Sequence, residues 1–372
     1  MCFSVFLNNR NSFISIFNCG CMKLTRKILY FAPIMAMVII TNYIIDPAYI
    51  YHGYEKKIAG LLLEGKHVAL TMGFTEGKIL INYINNTAEK FDIIVMGSSR
   101  AMPISSSSFP GKTFHNFSVS SASLSNLIAI HELLQRNRLQ YKTVIFALDP
   151  SLVFAYQPAR HADLDGLYLV KRNKLLYVTS MAKHYYDFAF EILSFSYFQS
   201  SMRAYFDMKG PLDKRYYVAK NLNNNDLSII LCDGSRKWEK RYNEATKQQA
   251  REEAEKYIRK FLTGCTRTHL DAAMKHGFES LVKSLKESGA DVIFWFPPYH
   301  PMVFKKYASD CPALIDAQTY YLETARKNNI RVYGSYNPDE YGFKETDFFD
   351  YHHLKNEPAY AHMVRMSRAL GL

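Results

Sequence analysis

Long hydrophobic runs are almost absent from this 372-residue chain, and one stretch alone approaches the length that crosses a bilayer, which excludes a polytopic membrane protein. No CxxC pair occurs among the six cysteines, and the CxC at Cys19 and Cys21 has no second half, so the spacing of a structural zinc site is missing. No Gly-x-Ser-x-Gly occurs, which counts against the nucleophile elbow of α/β-hydrolases. Nor is there a basic stripe interleaved with aromatics. The first 45 residues carry four bases and no acid, so of the net +12 they supply +4 and the remaining +8 is scattered. That distribution weakens a nucleic-acid reading, and a basic surface facing an anionic envelope fits at least as well, so no nucleic-acid partner is expected. Tryptophan is scarce at two residues, whereas tyrosine and phenylalanine number 27 and 25. Such aromatics build a large core or contact sugars and lipid headgroups.

What is present begins with Lys23-Leu-Thr-Arg26-Lys27, followed by the uncharged run 28–45 and then Asp46-Pro47. A basic flank before an apolar run keeps the bases cytoplasmic and exports the chain beyond the run. The end of the run, Asn42-Tyr43-Ile44-Ile45, is too bulky for a cleavage site, which favours an uncleaved signal anchor over a signal peptide. The expected organisation is a cytoplasmic N-terminus over 1–27, with 1–21 read as an extension upstream of a start at Met22. An anchor over 28–45 and a juxtamembrane segment over 46–91 come next. Three cysteines then lie in the exported part, either with Cys232 bonded to Cys265 or as three buried thiols. Gly60 to Lys66 matches GxxxxGK, but His67 stands next where a phosphate loop needs Ser or Thr, and no strand precedes it.

From residue 92 apolar runs ending in Gly, Pro or Asp alternate with helical spacing. Strands are predicted at 92–97, 113–117, 143–148, 291–296 and 330–333, with helices at 122–137, 270–288, 312–327 and 357–370. Alternation of this kind argues an α/β fold with a mostly parallel sheet, whose sites lie beyond the carboxyl ends of the strands. Residues 155–265 break the rhythm and read as an inserted helical cap.

Just past those strand ends, or near the C-terminus, stand Gly97-Ser98-Ser99-Arg100, His115-Asn116-Phe117-Ser118 and Asp350-Tyr351-His352-His353. They supply the serine, base and carboxylate that acyl transfer requires. The alternative is that Ser98 and Ser99 cap a helix and Asp350-x-x-His353 forms a surface turn. His352 is the rival base and is expected to face solvent. His300 comes after a strand and either lines the site or sits in a structural loop. Arg100 either steers an anionic polymer or pairs with Asp149.

The order and placement of these blocks resemble the SGNH (GDSL-type) hydrolase superfamily, and more closely its membrane-anchored members that modify bacterial envelope polymers. The resemblance covers 92–150 and 291–372. It implies a three-layer α/β/α, flavodoxin-like domain over 92–372, with Ser99 as nucleophile, His353 as base and Asp350 as its orienter. It implies oxyanion donors in the amides of Ser99 and Ser118, beside Asn116. The family's third-block Asn is here Asp149, and an ionised carboxylate cannot donate to an oxyanion. The implied function is an extracytoplasmic serine-dependent esterase or O-acyltransferase on an envelope polysaccharide. It would need no metal or cofactor and would work with a membrane-bound O-acyltransferase. A catalytically inactive polysaccharide-binding scaffold is the alternative.

Overall fold

The computed structural model describes residues 30–47, 51, 53–70, 74–155, 161–207, 216–222, 226–261 and 269–372. The expected cytoplasmic N-terminus and the first two residues of the expected anchor lie outside them. The chain divides into two compact units, 1–53 with 179–213, and 54–178 with 214–372.

The larger unit is an α/β domain built on five parallel strands. These are β2 (Phe91–Met96), β3 (Phe114–Asn116), β4 (Tyr141–Ala147), β8 (Asp291–Phe296) and β9 (Arg331–Gly334), in the order β3-β2-β4-β8-β9. Their β-branched and aromatic runs are apolar at successive positions, as strands covered on both faces must be. Side chains alternate across the sheet. Ile94, Met96, Val144, Phe146, Phe294 and Phe296 point into one core with residues of α4 (Leu124–Arg136), α10 (Ala272–Glu287) and α12 (Pro312–Lys327). Ile93, Val95, Ile145, Ala147 and Trp295 point into a second core with Met363 and Met366 of α13 (Asn356–Leu370). Helices therefore pack against both faces. Ser123 caps α4 by accepting from the Asn126 amide, and Asp271 caps α10 through the Met274 amide.

Two expectations fail here. The segment 46–91 is not a separate juxtamembrane linker: from Tyr54 it belongs to the larger unit. Ile58 and Leu62 of α2 (Glu55–Leu63) and Ile79 and Ile84 of α3 (Glu76–Asn86) are buried in the main core. Their apolar spacing is that of helices needing a partner face, which the sheet domain provides.

Nor is the insertion 155–265 one helical cap. Leu164 of α5 (Ala162–Arg172) is buried in the main core, and the stretch 179–213 joins the other unit. The remainder contributes β5 (Tyr216–Val218), β6 (Ile229–Ile230) and β7 (Arg236–Lys237). With β1 (Val68–Leu70) these form a second, antiparallel sheet in the order β5-β1-β6-β7. Strands of two or three residues carry almost no periodicity, so hydrophobic patterning predicts none of them.

The smaller unit holds helix α1 over 30–45, most of α6 (Lys174–Ile192) and α7 (Phe195–Asp207). Among the described residues no helix is long and apolar enough to cross a membrane.

Candidate active site

The chain leaves β2 at Gly97, where an added Cβ would stand 2.6 Å from the Ala147 Cβ and 3.1 Å from the Ala101 Cβ. Only glycine lets the strand turn this tightly beside β4. The turn delivers Ser99 half-buried at the carboxyl edge of the sheet, and Ser98 points away, its Oγ accepting from the Arg100 amide at 3.3 Å.

At the other end of the chain, Asp350 is fixed by its own loop. Its Oδ1 accepts the backbone amides of His352 (2.9 Å) and His353 (2.8 Å), and its Oδ2 lies 2.7 Å from His353 Nδ1. Burial pushes this carboxyl upward, but the His353 ring and these hydrogen bonds outweigh it and hold the group below its ordinary range. A carboxylate on Nδ1 requires the proton there, which leaves Nε2 as an acceptor. Nε2 is 2.8 Å from Ser99 Oγ, 254 residues away in sequence. Ser99, His353 and Asp350 thus form one continuous proton relay.

His352 does not face solvent as expected. Its ring lies 4.0 Å from that of Tyr351 and 4.2 Å from that of His353. Burial and the neighbouring His353 push its pKa well below the ordinary histidine value, so it is neutral at pH 7. Ligand atoms of Asp350, His352 and His353 lie within 4.8 Å of one another, close enough for a metal ion. The oxygens of Asp350 and both nitrogens of His353 are already engaged in the relay.

The remaining expected site residues fall elsewhere. Asn116 is buried at the end of β3, and its Nδ2 donates to the carbonyls of Ala101 (2.8 Å) and Ile104 (2.9 Å). Its Oδ1 accepts the Ser118 amide at 3.0 Å. Asn116 therefore clamps the loop that carries Ser99, and the Ser118 amide is not available to an oxyanion. The Ser99 amide makes no hydrogen bond among the described residues.

Arg100 does not reach toward a polymer. Its buried guanidinium donates to Asp149 Oδ1 (2.9 Å) and to the carbonyls of Pro297 and Pro298, and lies 4.1 Å from the centre of the Tyr299 ring. One side chain on the turn after β2 thereby ties together the ends of β4 and β8. Its charge is held despite burial by Tyr299 and Asp149. Asp149 is an ion-pair partner rather than an oxyanion donor. His300 caps α11 (Pro301–Asp310), its Nδ1 accepting the Met302 amide at 3.3 Å, with its ring against Phe348. It is structural and does not line the cleft.

The Ser99 relay opens into a cleft of about 1400 Å³. Trp238 and Phe349 pack on the His353 ring at 5.7 and 5.3 Å, and Tyr242 stacks on Phe349 at 4.7 Å. Tyr257, from α9 (Lys247–Phe261), stacks on Tyr351 at 4.0 Å. Across the cleft, Glu76 accepts from the Ser120 amide (2.7 Å) and hydroxyl (2.6 Å) and pairs with Arg236 at 2.8 Å. Against the upward push of burial, Arg236 and Ser120 hold the Glu76 carboxyl down at about 2.

Sequence reasoning missed this aromatic wall, because Trp238, Tyr242 and Tyr257 come from the insertion and meet Phe349 only through the fold. No local motif marks them. The cysteine pairing also differs from both expected alternatives: Cys232 is a free thiol, and Cys311, between α11 and α12, is disulfide-bonded. The sequence matches no protein-family model and no curated protein, so the chemistry of the site is read from its geometry.

Proposed function

We propose that the protein is a membrane-anchored, extracytoplasmic serine-dependent acyl esterase or O-acyltransferase acting on a cell-envelope polysaccharide, on a three-layer SGNH-like domain. The observation that carries this reading is the hydrogen-bonded series Ser99 Oγ, His353 Nε2, His353 Nδ1, Asp350 Oδ2 at the mouth of the cleft.

In the proposed reaction Ser99 Oγ attacks the acyl carbon while its proton passes to His353 Nε2. The alcohol leaves with that proton, and the acyl group stays on Ser99. Water or a polymer hydroxyl then gives its proton to His353 and takes the acyl group, completing hydrolysis or transfer. Asp350, ionised well below neutrality, steadies the imidazolium formed in each half.

The cleft exceeds the few hundred to about 1,000 Å³ of a small-molecule pocket, and its aromatic wall suits stacking on sugar rings. A disulfide at Cys311 suits an oxidising compartment outside the cytoplasm. The uncharged run 28–45 behind its basic flank supplies the anchor. A membrane-bound O-acyltransferase would be the acyl source in the transferase version, and the mechanism calls for no metal or cofactor.

One observation favours a second reading, a non-catalytic polysaccharide-binding scaffold. With the Ser118 amide on Asn116 and Asp149 on Arg100, the Ser99 amide is the one expected oxyanion donor left. Each missing donor costs about 10²–10³ in turnover. Slow turnover with a reactive serine is therefore the enzyme reading's expectation, and an inert serine the scaffold's. Labelling with a fluorophosphonate probe decides between them: labelling of the intact chain that is lost in Ser99→Ala supports the enzyme, and absence of labelling at any pH tested supports the scaffold.

A further inference from the structure

The smaller unit encloses polar groups beside Val38 and Ile45 and leaves large apolar side chains on its surface. Asn42, Asp46 and Ser201 are buried within it. Asn42 Nδ2 donates to the carbonyls of Ile192 (3.0 Å) and Ser194 (3.1 Å) in the turn between α6 and α7, and its Oδ1 accepts from Ser201 Oγ at 3.2 Å. Asp46 accepts from the Tyr197 hydroxyl at 2.7 Å and from the Tyr51 amide at 2.9 Å. Facing outward instead are Phe31, Ile34 and Ile40 on α1, Tyr186 and Phe190 on α6, and Phe206 on α7, the last 75% exposed.

In water this arrangement is unfavourable twice over, since apolar area stays wet while polar groups are desolvated. In a bilayer the cost is reversed: apolar side chains face lipid, and interhelical polar contacts hold the helices together. The depth of α6 and α7 is limited, because neither is long and apolar enough to span. Ten tyrosines and phenylalanines lie between residues 177 and 206, the residue types that populate the headgroup boundary.

We propose that α6 and α7, held by their turn against the carboxyl end of the anchor helix α1, seat in the headgroup and upper acyl layer of the bilayer. The insertion 179–213 is then a second membrane-binding element beside the anchor, rather than a lid for the Ser99 cleft. This rests on the anchored reading but not on the ester chemistry.

The test uses the full chain carrying Phe206→Trp and vesicles of phosphatidylcholine with phosphatidylglycerol, with and without bromine on the upper acyl carbons. The expected result is that the emission added by the new indole shifts to the blue and is mostly lost to brominated lipid. Phe190→Asp with Phe206→Asp should weaken vesicle binding at least about tenfold, the scale of withdrawing one or two buried phenylalanines. Turnover of a soluble chromogenic ester should be unchanged in every variant. Protein that binds vesicles while its added emission is not quenched overturns the proposal and leaves the anchor standing. Protein that does not bind overturns both. Loss of ester turnover in the parent chain speaks only to the chemistry at Ser99.

Discussion

The two units of this protein differ in what they leave outside: both enclose polar groups, but the smaller one turns large apolar side chains outward. In the sheet domain the fully enclosed side chains include Phe146, Phe278 and Phe294 as well as the polar Asn126 and His362, and the surface is polar where Ser99 stands at the strand ends. In the smaller unit Asn42, Asp46 and Ser201 are enclosed beside Val38 and Ile45, while Phe190 and Phe206 face outward. Most buried polar atoms are paired, with Arg100 Nε, Ser118 Oγ and His362 Nδ1 among the exceptions in the sheet domain. The difference lies in which solvent each outer surface fits.

The largest expected effect lies at the edge of the sheet domain. Ser99→Ala and His353→Ala should each lower turnover of a chromogenic acyl ester about a thousandfold or more, measured by steady-state kinetics on variants that fold by circular dichroism. Asp350→Asn should cost a similar amount, because it removes the charge that selects the acceptor tautomer at Nε2.

The comparison sharpens when one chemical change is made in both units. Phe278→Ala opens a cavity in the packed core and should cost about 3–5 kcal/mol in urea unfolding. Phe206→Ala removes an exposed ring and should stay within about 0.5 kcal/mol in the absence of lipid. Equal losses would dissolve the contrast between the units.

Acid should separate them further. Burial pushes His131 down to about 4 and His115 and His362 down to about 3, and Glu76 is held at about 2. Depressed pKa values favour the deprotonated form in the folded state. Their stabilisation is therefore complete above the unfolded values of 6.5 and 4.5 and is lost as pH falls through the window below them. The urea midpoint followed by emission of Trp295, whose Nε1 donates to His362 at 3.2 Å, should fall steadily from about pH 6 to 3. A midpoint independent of pH in that window would contradict the assignment.

Smallest are the changes beside the relay. Ser98→Ala and His352→Ala should stay within about tenfold in turnover, since Ser98 Oγ serves the turn and the His352 ring is not in the relay.

Much of the sheet domain was legible because its strands are buried on both faces and their apolar runs end at Gly97, Asp149 and Pro297. The placement of Asp350 and His353 three residues apart was legible for the same reason, as a local spacing. What could not be read was set by contacts distant in sequence. The Ser118 amide is taken by Asn116 Oδ1, a contact no spacing announces, whereas the Arg100–Asp149 pair is one of the two alternatives the sequence offered. Helices α2 and α3 read as a juxtamembrane segment because the core residues they pack against are distant in sequence. The insertion looked uniform because composition does not reveal that one part packs outward and another lines the cleft.

The central claim is that Ser99 carries the acyl group. Brief incubation with an activated acyl ester, acid quench and peptide mass analysis should find one acyl group on the peptide containing Ser99. It should be absent in Ser99→Ala and much reduced in His353→Ala. An acyl group found on another residue, or none on a protein that turns over the ester, would contradict the account.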